Sequence, residues 1–547
     1  MIDRERYHEA EPRRSPWYAL GMARQPEGGS ERRALARRAG VVSLGTLLSR
    51  ILGLIRDMVL AALFPRADTD VFFVAFAIPN ALRQLLAEGT VPGAVMPVLA
   101  EIRAREGDAA AREFYRALRG AWLVVLLLTT ILGAAFAPQL CELFAPGFHA
   151  QPGQFERTVT LTRWVFAFIL FMGSAALGMG ALHTHRDFAA AAFSPALVNV
   201  AMIAAAIAAP AWLATTGHDP ILALAIGVLL GGALQVVAQW PSLKRIGYLE
   251  PPSLSWSNPG VREVLRRIAP MVLGMAVYFA NTAMARRLLS DLDPGAQSYF
   301  TWAFRLCALP QGLFILALSS ATLPSLTSLA AAGKPSEVSA TYAHAMRLAL
   351  FISLGATGFL IALAHPIVVA VFQRGAFDAH AASETAASLI AMALGLTFVA
   401  AIRQLTPVFF AYGDTRTPVL GSATNLLVFV ALAYTLRGPL DHVGVAAAYS
   451  GANLAQMALM WLLLRHKLPS LHLGAIAGAA ARAALPALIA GSLGWWTAAR
   501  VSVADPNGLQ RLLPLAAGAT VFTLVFLLAA KLLRSEELDT VLAAARR

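Results

Sequence analysis

Charge is scarce in this chain. Of its 547 residues only 14% are charged and 58% are hydrophobic, and the mean hydropathy is +0.62. Soluble domains are roughly half apolar and about a quarter charged, so an ordinary soluble globule is excluded. Disorder along the whole length is excluded for the opposite reason, because disordered chains are poor in apolar groups and rich in charge. Cysteine is nearly absent. Cys141 and Cys307 are the two present, too few for a disulfide scaffold or a four-cysteine zinc centre. Cys307 lies inside an apolar run and reads as a small core side chain. Acids are the rarer sign, with 31 Asp and Glu against 44 Lys and Arg and a net charge of +13. No soluble basic domain is present to use that excess on nucleic acid, and the excess of Lys and Arg on the inner side of membrane proteins explains it more simply.

Long apolar segments are plentiful. Fourteen follow one another, near 41–64, 71–99, 119–141, 160–183, 188–214, 220–241, 264–289, 298–330, 345–372, 384–412, 418–436, 443–464, 476–499 and 512–533. Each is long enough for a helix to cross about 30 Å of hydrocarbon. They are continuously apolar, without the alternation of a membrane barrel, which leaves helices as the spanning structure. The expected fold is an all-α polytopic membrane protein of about 14 transmembrane helices. Residues 1–40 differ, with nine arginines and no apolar run of signal-peptide type. They read as a disordered basic cytoplasmic tail in reach of anionic lipid, and 535–547 as a second cytoplasmic tail.

An even number of spans puts both termini on one side. With residues at span ends counted on the nearer side, the tails and even-numbered loops hold 30 of the 44 Lys and Arg and the opposite loops 9, five more lying within spans. Both termini are therefore expected in the cytoplasm.

The chain also repeats itself. At one constant offset Arg119 matches Arg347, Pro138 matches Pro366, Phe144 matches Phe372 and Gly147 matches Gly375. Met96-Pro97-Val98-Leu99 resembles Leu323-Pro324-Ser325-Leu326 at an offset shorter by a single position. Six spans separate the copies, so both have one orientation. The reading is two pseudo-symmetric six-helix lobes, 41–245 and 262–467, with two further helices in 476–534. Internal repeats of this kind place a transporter's binding site between the lobes.

A charge at mid-bilayer costs on the order of 2.5–3.5 kcal/mol on insertion scales. This chain nevertheless carries Arg50 and Arg56 in span 1, Arg83 in span 2, Arg305 in span 8 and Arg403 in span 10, with Asp57 and Glu88 the acids deep in the same segments. Five positive charges against two negative cannot be neutralised by pairing. The excess is expected to face a wet cavity of positive potential, suited to an anion. Arginine's planar fork fits phosphate oxygens bidentately and keeps its charge at any pH. No histidine sits mid-span in these helices, which gives a histidine proton relay little support. Each site has a plainer reading too. Arg50 and Arg56 near a span end would snorkel, Arg403 would fix a helix contact, and Arg56-Asp57 and Arg83 with Glu88 would be structural pairs. Arg83 and Arg305 lie deeper, in spans 2 and 8. Their spacing to the shared proline differs by five residues, about 7.5 Å of helix rise, which puts them at different depths. Span 2 is interrupted by Pro79, Gly89, Pro92, Gly93 and Pro97, and span 8 by Pro310, Gly312 and Pro324. Such breaks are tolerated where a helix lines a cavity or bends.

The segment Ser49-Arg50-Ile51-Leu52-Gly53-Leu54-Ile55-Arg56-Asp57 resembles the first-helix signature of the MurJ (MviN) lipid II flippases, of the multidrug/oligosaccharidyl-lipid/polysaccharide exporter superfamily. The likeness continues through Thr69-Asp70-Val71-Phe72-Phe73-Val74-Ala75-Phe76, Pro79-Asn80-Ala81-Leu82-Arg83, Ala87-Glu88-Gly89, Ala145-Pro146-Gly147-Phe148 and Gly413-Asp414-Thr415-Arg416-Thr417-Pro418, and covers residues 41–535. The resemblance implies a carrier of undecaprenyl-pyrophosphate-linked peptidoglycan precursor across the inner membrane by alternating access, with helices 13 and 14 forming a groove for the lipid tail. It maps the family's functional residues onto Arg50, Arg56, Asp70, Arg83, Glu88 and Arg305. Arg56, Arg83 and Arg305 would hold pyrophosphate and sugar, while Asp57 and Glu88 pair with arginines in one conformation and release them in another. Asp70 joins them as a gating or ion-pair group and Arg403 as a further substrate contact. Position 84 is Gln where many members have a second basic residue, and Phe304 precedes Arg305 where a polar residue is common. Helix 7 offers Asn281 and no acid in its apolar stretch, which argues against sodium coupling. Membrane potential or an ion gradient is the expected drive, with no cofactor or metal.

The expected function is lipid II translocation by a monomer, without enzymatic activity. A flippase for another polyprenyl-linked glycan stands next. A drug/cation antiporter needs an acidic cavity. An enzyme on the same lipid needs a catalytic cluster in a structured loop, and the longest outward loop, 142–159, offers Glu142, His149 and Glu156. A scaffold that does not transport has no use for the arginines.

Overall fold

The computed structural model describes residues 29–87, 90–274, 276–501 and 508–545, and among them there is no strand. The helices are α1 Gly29–Leu63, α2 Arg66–Ala87, α3 Thr90–Ala135, α4 Ala137–Phe144, α5 Gln154–Phe166, α6 Phe168–Thr184, α7 Ala189–Thr215 and α8 Leu222–Arg245. A second series follows with α9 Pro259–Gly274, α10 Ala276–Ser290, α11 Ala296–Pro310, α12 Leu316–Ala331, α13 Pro335–Ala362, α14 Ala364–Phe372, α15 Ala379–Ala411 and α16 Arg416–Leu464. The chain closes with α17 Leu473–Val501, α18 Leu513–Leu532 and α19 Glu536–Ala545.

Residues 29–40 of the expected disordered tail belong to the first described helix, and residues 1–28 of it lie outside the described residues. The expected loop 100–118 is also helical. Two helices cover it, 90–106 and 108–135, divided at Gly107 by a non-helical backbone at φ 90°, because a charged helical extension beyond the bilayer needs no apolar residues. Spans 11 and 12 are two helices within α16, divided at Asp441 by a non-helical backbone at φ 52°.

Among the described residues nine helices are long and apolar enough to cross a membrane. The expected segments that fall short are spans 1, 2, 7 and 8. Span 1 carries arginines, span 2 divides into α2 and the start of α3, and span 7 divides into α9 and α10. Span 8 divides at a π-helical turn, Gln311–Ile315, just after Pro310. A π turn leaves backbone groups outside the regular ladder and concentrates at functional sites.

Packing builds two groups, α1–α8 and α9–α16, with α17 and α18 packed on each other and on α13 of the second group. Phe351 and Phe359 of α13 meet Phe526 and Phe522 of α18. α9 leans back onto the first group, with Gly260 against Phe114. Close approach of α1 to α7 follows from small residues at four-residue spacing, Gly45, Ser49 and Gly53. Gly45 lies directly on the Ala192 backbone, and Asn199 of α7 donates Nδ2 to the Ser49 carbonyl at 3.0 Å. That stripe turns Arg50 and Asp57 toward the second group.

The repeat is visible as pseudo-symmetry. Gly147 packs on the backbone of Ser290, and Gly375 packs on the backbone of Ala62. Ala62 and Ser290 are themselves related by the offset that relates Gly147 to Gly375. Both seams lie at the end of the bundle away from the described N- and C-terminal segments, called here the far end.

Candidate functional site between the lobes

α1 and α11–α12 run antiparallel across the gap between the groups. On α1, Arg50 and Asp57 are seven residues apart. Facing them, Ser298, Arg305 and Gly312 are spaced by seven. Seven residues are almost two turns, about 10 Å of rise on one helix face.

The middle of this face is an ion cluster. Asp57 Oδ1 accepts Arg56 Nε at 3.1 Å and Nη2 at 2.9 Å, and its Oδ2 accepts Arg305 Nη1. Asp57 is 2% exposed. One buried carboxylate thus holds a guanidinium from each lobe, two positive charges to one negative. Arg56 Nη1 also donates to Asn199 Oδ1 at 2.9 Å, and Arg305 lies 5.6 Å from the Phe73 ring centroid. Two turns toward the terminal end, the Arg50 guanidinium lies against Gly312, where any Cβ would overlap it. The glycine in the π turn is what admits Arg50.

Toward the far end the same face closes. Asp70 of α2 accepts the Gly295 N–H at 2.6 Å, the Ser298 N–H at 2.8 Å and the Ser298 hydroxyl at 2.5 Å. It therefore caps the N-terminus of α11, where unpaired N–H groups and the helix dipole favour a carboxylate. Gly295 presents its N–H from a left-handed turn, φ 107°, that favours glycine. Asp70 and Ser298 stand at the repeat offset, so this cap joins equivalent places in the two copies. Ala376 N–H donates to Ala62 O at 2.8 Å, and Gly147 N–H to Ser290 Oγ at 3.2 Å. Arg66 of the first lobe lies 5.3 Å from the Trp302 ring and 4.8 Å from the Phe377 ring of the second. The lobes are clasped at the far end.

Of the residues singled out in the sequence, Arg56, Asp57 and Arg305 meet in one cluster, with Arg50 two turns below. Asp70 is met by N–H and hydroxyl donors and acts as a cap. Arg83 donates Nε to Asn80 Oδ1 at 2.8 Å within α2. Arg403 is exposed on α15, near Tyr449, and its backbone carbonyl accepts the Ser319 hydroxyl of α12 at 2.7 Å. Glu88 and Gly89 lie outside the described residues. Asn281 donates to Asn425 Oδ1 at 3.1 Å, and Glu142 bonds His149 at 2.8 Å. Ser298, Gly295 and Arg66 escaped the sequence reading, and Gly312 was read there only as a break in span 8. The heptad spacing on span 8 was the available signal, but it has meaning only once α1 is known to face it.

Two further features bear on chemistry. Ser388, His442 and Glu384 form a hydrogen-bonded series, 2.7 and 3.0 Å, at the far end of the second lobe. Ser388 is fully buried, so the series ties α15 to α16 and presents no nucleophile. Where α17 meets α13, α15 and α16 there is an apolar crevice of about 200 Å³, lined by residues such as Leu350, Phe398, Trp461 and Ile476.

Fold and site together define a two-lobed membrane transporter whose inter-lobe surface is cationic. The sequence pattern of the lipid II flippase MurJ family matches residues 59–506, and the chain belongs to that family. A relative from Burkholderia cenocepacia, itself named lipid II flippase MurJ, is 32% identical over 438 residues, covering 79% of this chain and 84% of its own. A solved lipid II flippase MurJ in an inward closed conformation superposes with a TM-score of 0.71 at 23% identity, covering 88% of this chain and 97% of that one. An inward-facing multidrug resistance MATE family transporter of the MOP superfamily shares the fold, with a TM-score of 0.64 at 16% identity over 76% of this chain and 94% of its own.

Proposed function

We propose that this protein moves lipid II, the undecaprenyl-pyrophosphate-linked peptidoglycan precursor, from the cytoplasmic to the periplasmic leaflet of the bacterial inner membrane by alternating access. The observation that carries the reading is Asp57, one buried carboxylate shared by Arg56 and Arg305, with Arg50 two turns along the same face at Gly312. Guanidinium groups outnumber acid on the facing surfaces, and a diphosphate completes the balance. In this orientation the termini are cytoplasmic and the clasped far end is periplasmic.

In the mechanism the headgroup enters between the lobes and competes with Asp57 for Arg56 and Arg305, with Arg50, Arg83 and Arg403 as further contacts. Neutralising the arginines weakens the Asp57–Arg305 ion pair that joins α1 to α11. The far-end clasp then opens and the terminal end closes. Positive charge shifted within the field couples the step to membrane potential, at about 2.3 kcal/mol per charge per 100 mV. The polyprenyl tail stays in apolar surroundings beside α17 and α18, where the crevice against α13 supports a tail site. The protein acts as a carrier, without making or breaking a bond in the lipid.

The test is lipid II binding by native mass spectrometry, wild type against Arg305→Ala, with rescue of depleted cells in parallel. Lipid II is expected to be retained by the wild type and lost from the variant. Equal retention, with full rescue at normal expression, overturns the site.

A further inference from the structure

Two guanidinium groups converge outside the inter-lobe site, where α14 ends and α18 begins. Arg374 Nη2 donates to Ala370 O at 2.7 Å, and Arg511 Nη1 donates to Gln373 O at 2.8 Å. The accepting carbonyls are three residues apart at the end of α14, about 4.5 Å of rise, so both side chains crowd one helix end. Arg511 Nε donates to Gly508 O at 2.8 Å. Every one of these acceptors is a neutral carbonyl, and among the described residues no carboxylate pairs with either arginine. Both are half-buried, and Arg374 Nε is buried with no hydrogen-bond partner. Burial, and next the charge of Arg511, hold Arg374 below the ordinary arginine range. A helix C-terminus supplies only about half a negative charge, against two positive ones.

Among the described residues the capping leaves a net positive charge and, at Arg374 Nε, an unpaired donor, on guanidinium groups whose fork matches phosphoryl oxygens. We propose that Arg374 and Arg511 form a second anion site, at the far end of the fold, which takes the phosphoryl headgroup of a membrane lipid. Its position gives it a consequence. The next residue, Gly375, packs on Ala62 of the first lobe, and Ala376 N–H donates to Ala62 O at 2.8 Å. A headgroup held by Arg374 thus sits one residue from the seam that must part when the lobes rock. As a release point for translocated diphosphate the site rests on the lipid II reading. As a phosphoryl site it stands without it.

The experiment uses the full-length protein in detergent, with farnesyl diphosphate and phosphatidylglycerol as separate probes and native mass spectrometry as readout. Arg374→Gln/Arg511→Gln is expected to weaken binding of at least one probe by about tenfold or more, the effect of losing charge-assisted hydrogen bonds. Arg374→Lys/Arg511→Lys is expected to retain most of it. Loss confined to farnesyl diphosphate assigns the site to cargo, and loss confined to phosphatidylglycerol assigns it to a resident phospholipid. Unchanged binding of both probes overturns the proposal. So does an equal loss in the Gln and Lys variants that tracks a drop in melting temperature, since the pair would then be only a helix clamp. Failure of the wild type to translocate lipid II in proteoliposomes would sink the flippase reading and leave this binding result standing.

Discussion

The Arg50 guanidinium occupies the place where residue 312 would carry a Cβ, so Arg50 and Gly312 form a contact between lobes that only glycine permits. Gly312→Ala must displace Arg50 or push α1 from α12. The clashing atoms are the far end of a flexible side chain, so the cheaper outcome is that Arg50 swings away, and the loss falls on the placement of its guanidinium and not on stability. Transport by Gly312→Ala is expected to drop at least several-fold with the protein still folded, and Gly312→Val further. Arg50→Ala should remove the clash, so transport by the double variant should match Arg50→Ala alone. Additive losses would show that the contact is incidental.

Asp57 is shared, and the sharing makes it more sensitive than either arginine. Removing one partner of a buried pair leaves an uncompensated charge, at a cost of about 3–5 kcal/mol. Asp57→Asn leaves two such charges. It is expected to lower the melting temperature in detergent more than Arg305→Gln does. The combined variant should recover part of the loss, as a double-mutant cycle on contacting residues requires.

The Asp70 cap should behave as a latch. Loss of an N-cap carboxylate costs roughly 0.5–2 kcal/mol, while Asn caps nearly as well as Asp. Asp70→Ala is therefore expected to raise thiol labelling of cysteines placed at Ala62 and Ala376, where the lobes touch, and Asp70→Asn to raise it much less. Equal labelling in the two variants would show that charge, not capping geometry, holds the seam.

Asp414, in the loop before α16, accepts the backbone N–H groups of Arg416 and Thr417 at 3.1 and 3.0 Å and faces Lys467 at 3.0 Å. Chiefly the Thr417 N–H lowers its pKa to about 2. With a depressed folded value, the carboxylate's contribution is complete above about pH 4, the unfolded value, and is lost as pH falls toward 2. Asp414→Ala is expected to lower the melting temperature at pH 7, with the difference from wild type shrinking below pH 4.

Arg56, Asp57 and Arg305 were legible in the sequence because a charge inside an apolar helix declares its own cost. The two lobes were legible because Gly147 and Gly375 preserve their spacing from a proline and a phenylalanine. The partners of these groups were not. Ser298 and Gly312 are ordinary in composition, and their meaning depends on which distant part of the chain folds back to face them. Arg66 was counted with the loops, and only folding brings Trp302 and Phe377 around it. Residues 100–118 do hold the turn between two helices, at Gly107, but the helices run further into them than expected, because charge density marks the limit of the bilayer, not the limit of a helix.

Among the described residues, the expected spans too polar or too broken to pass as membrane crossings are the first, second, seventh and eighth, and the first and eighth carry the arginines that meet at Asp57. Biogenesis inherits that conflict. A ribosome-bound translocon releases such stretches into lipid reluctantly, so they must wait for α7, α13 and other greasy neighbours to shelter them. Assembly order is thereby written into the same arginines that meet at Asp57, and a substitution that eases insertion also removes a contact between the lobes.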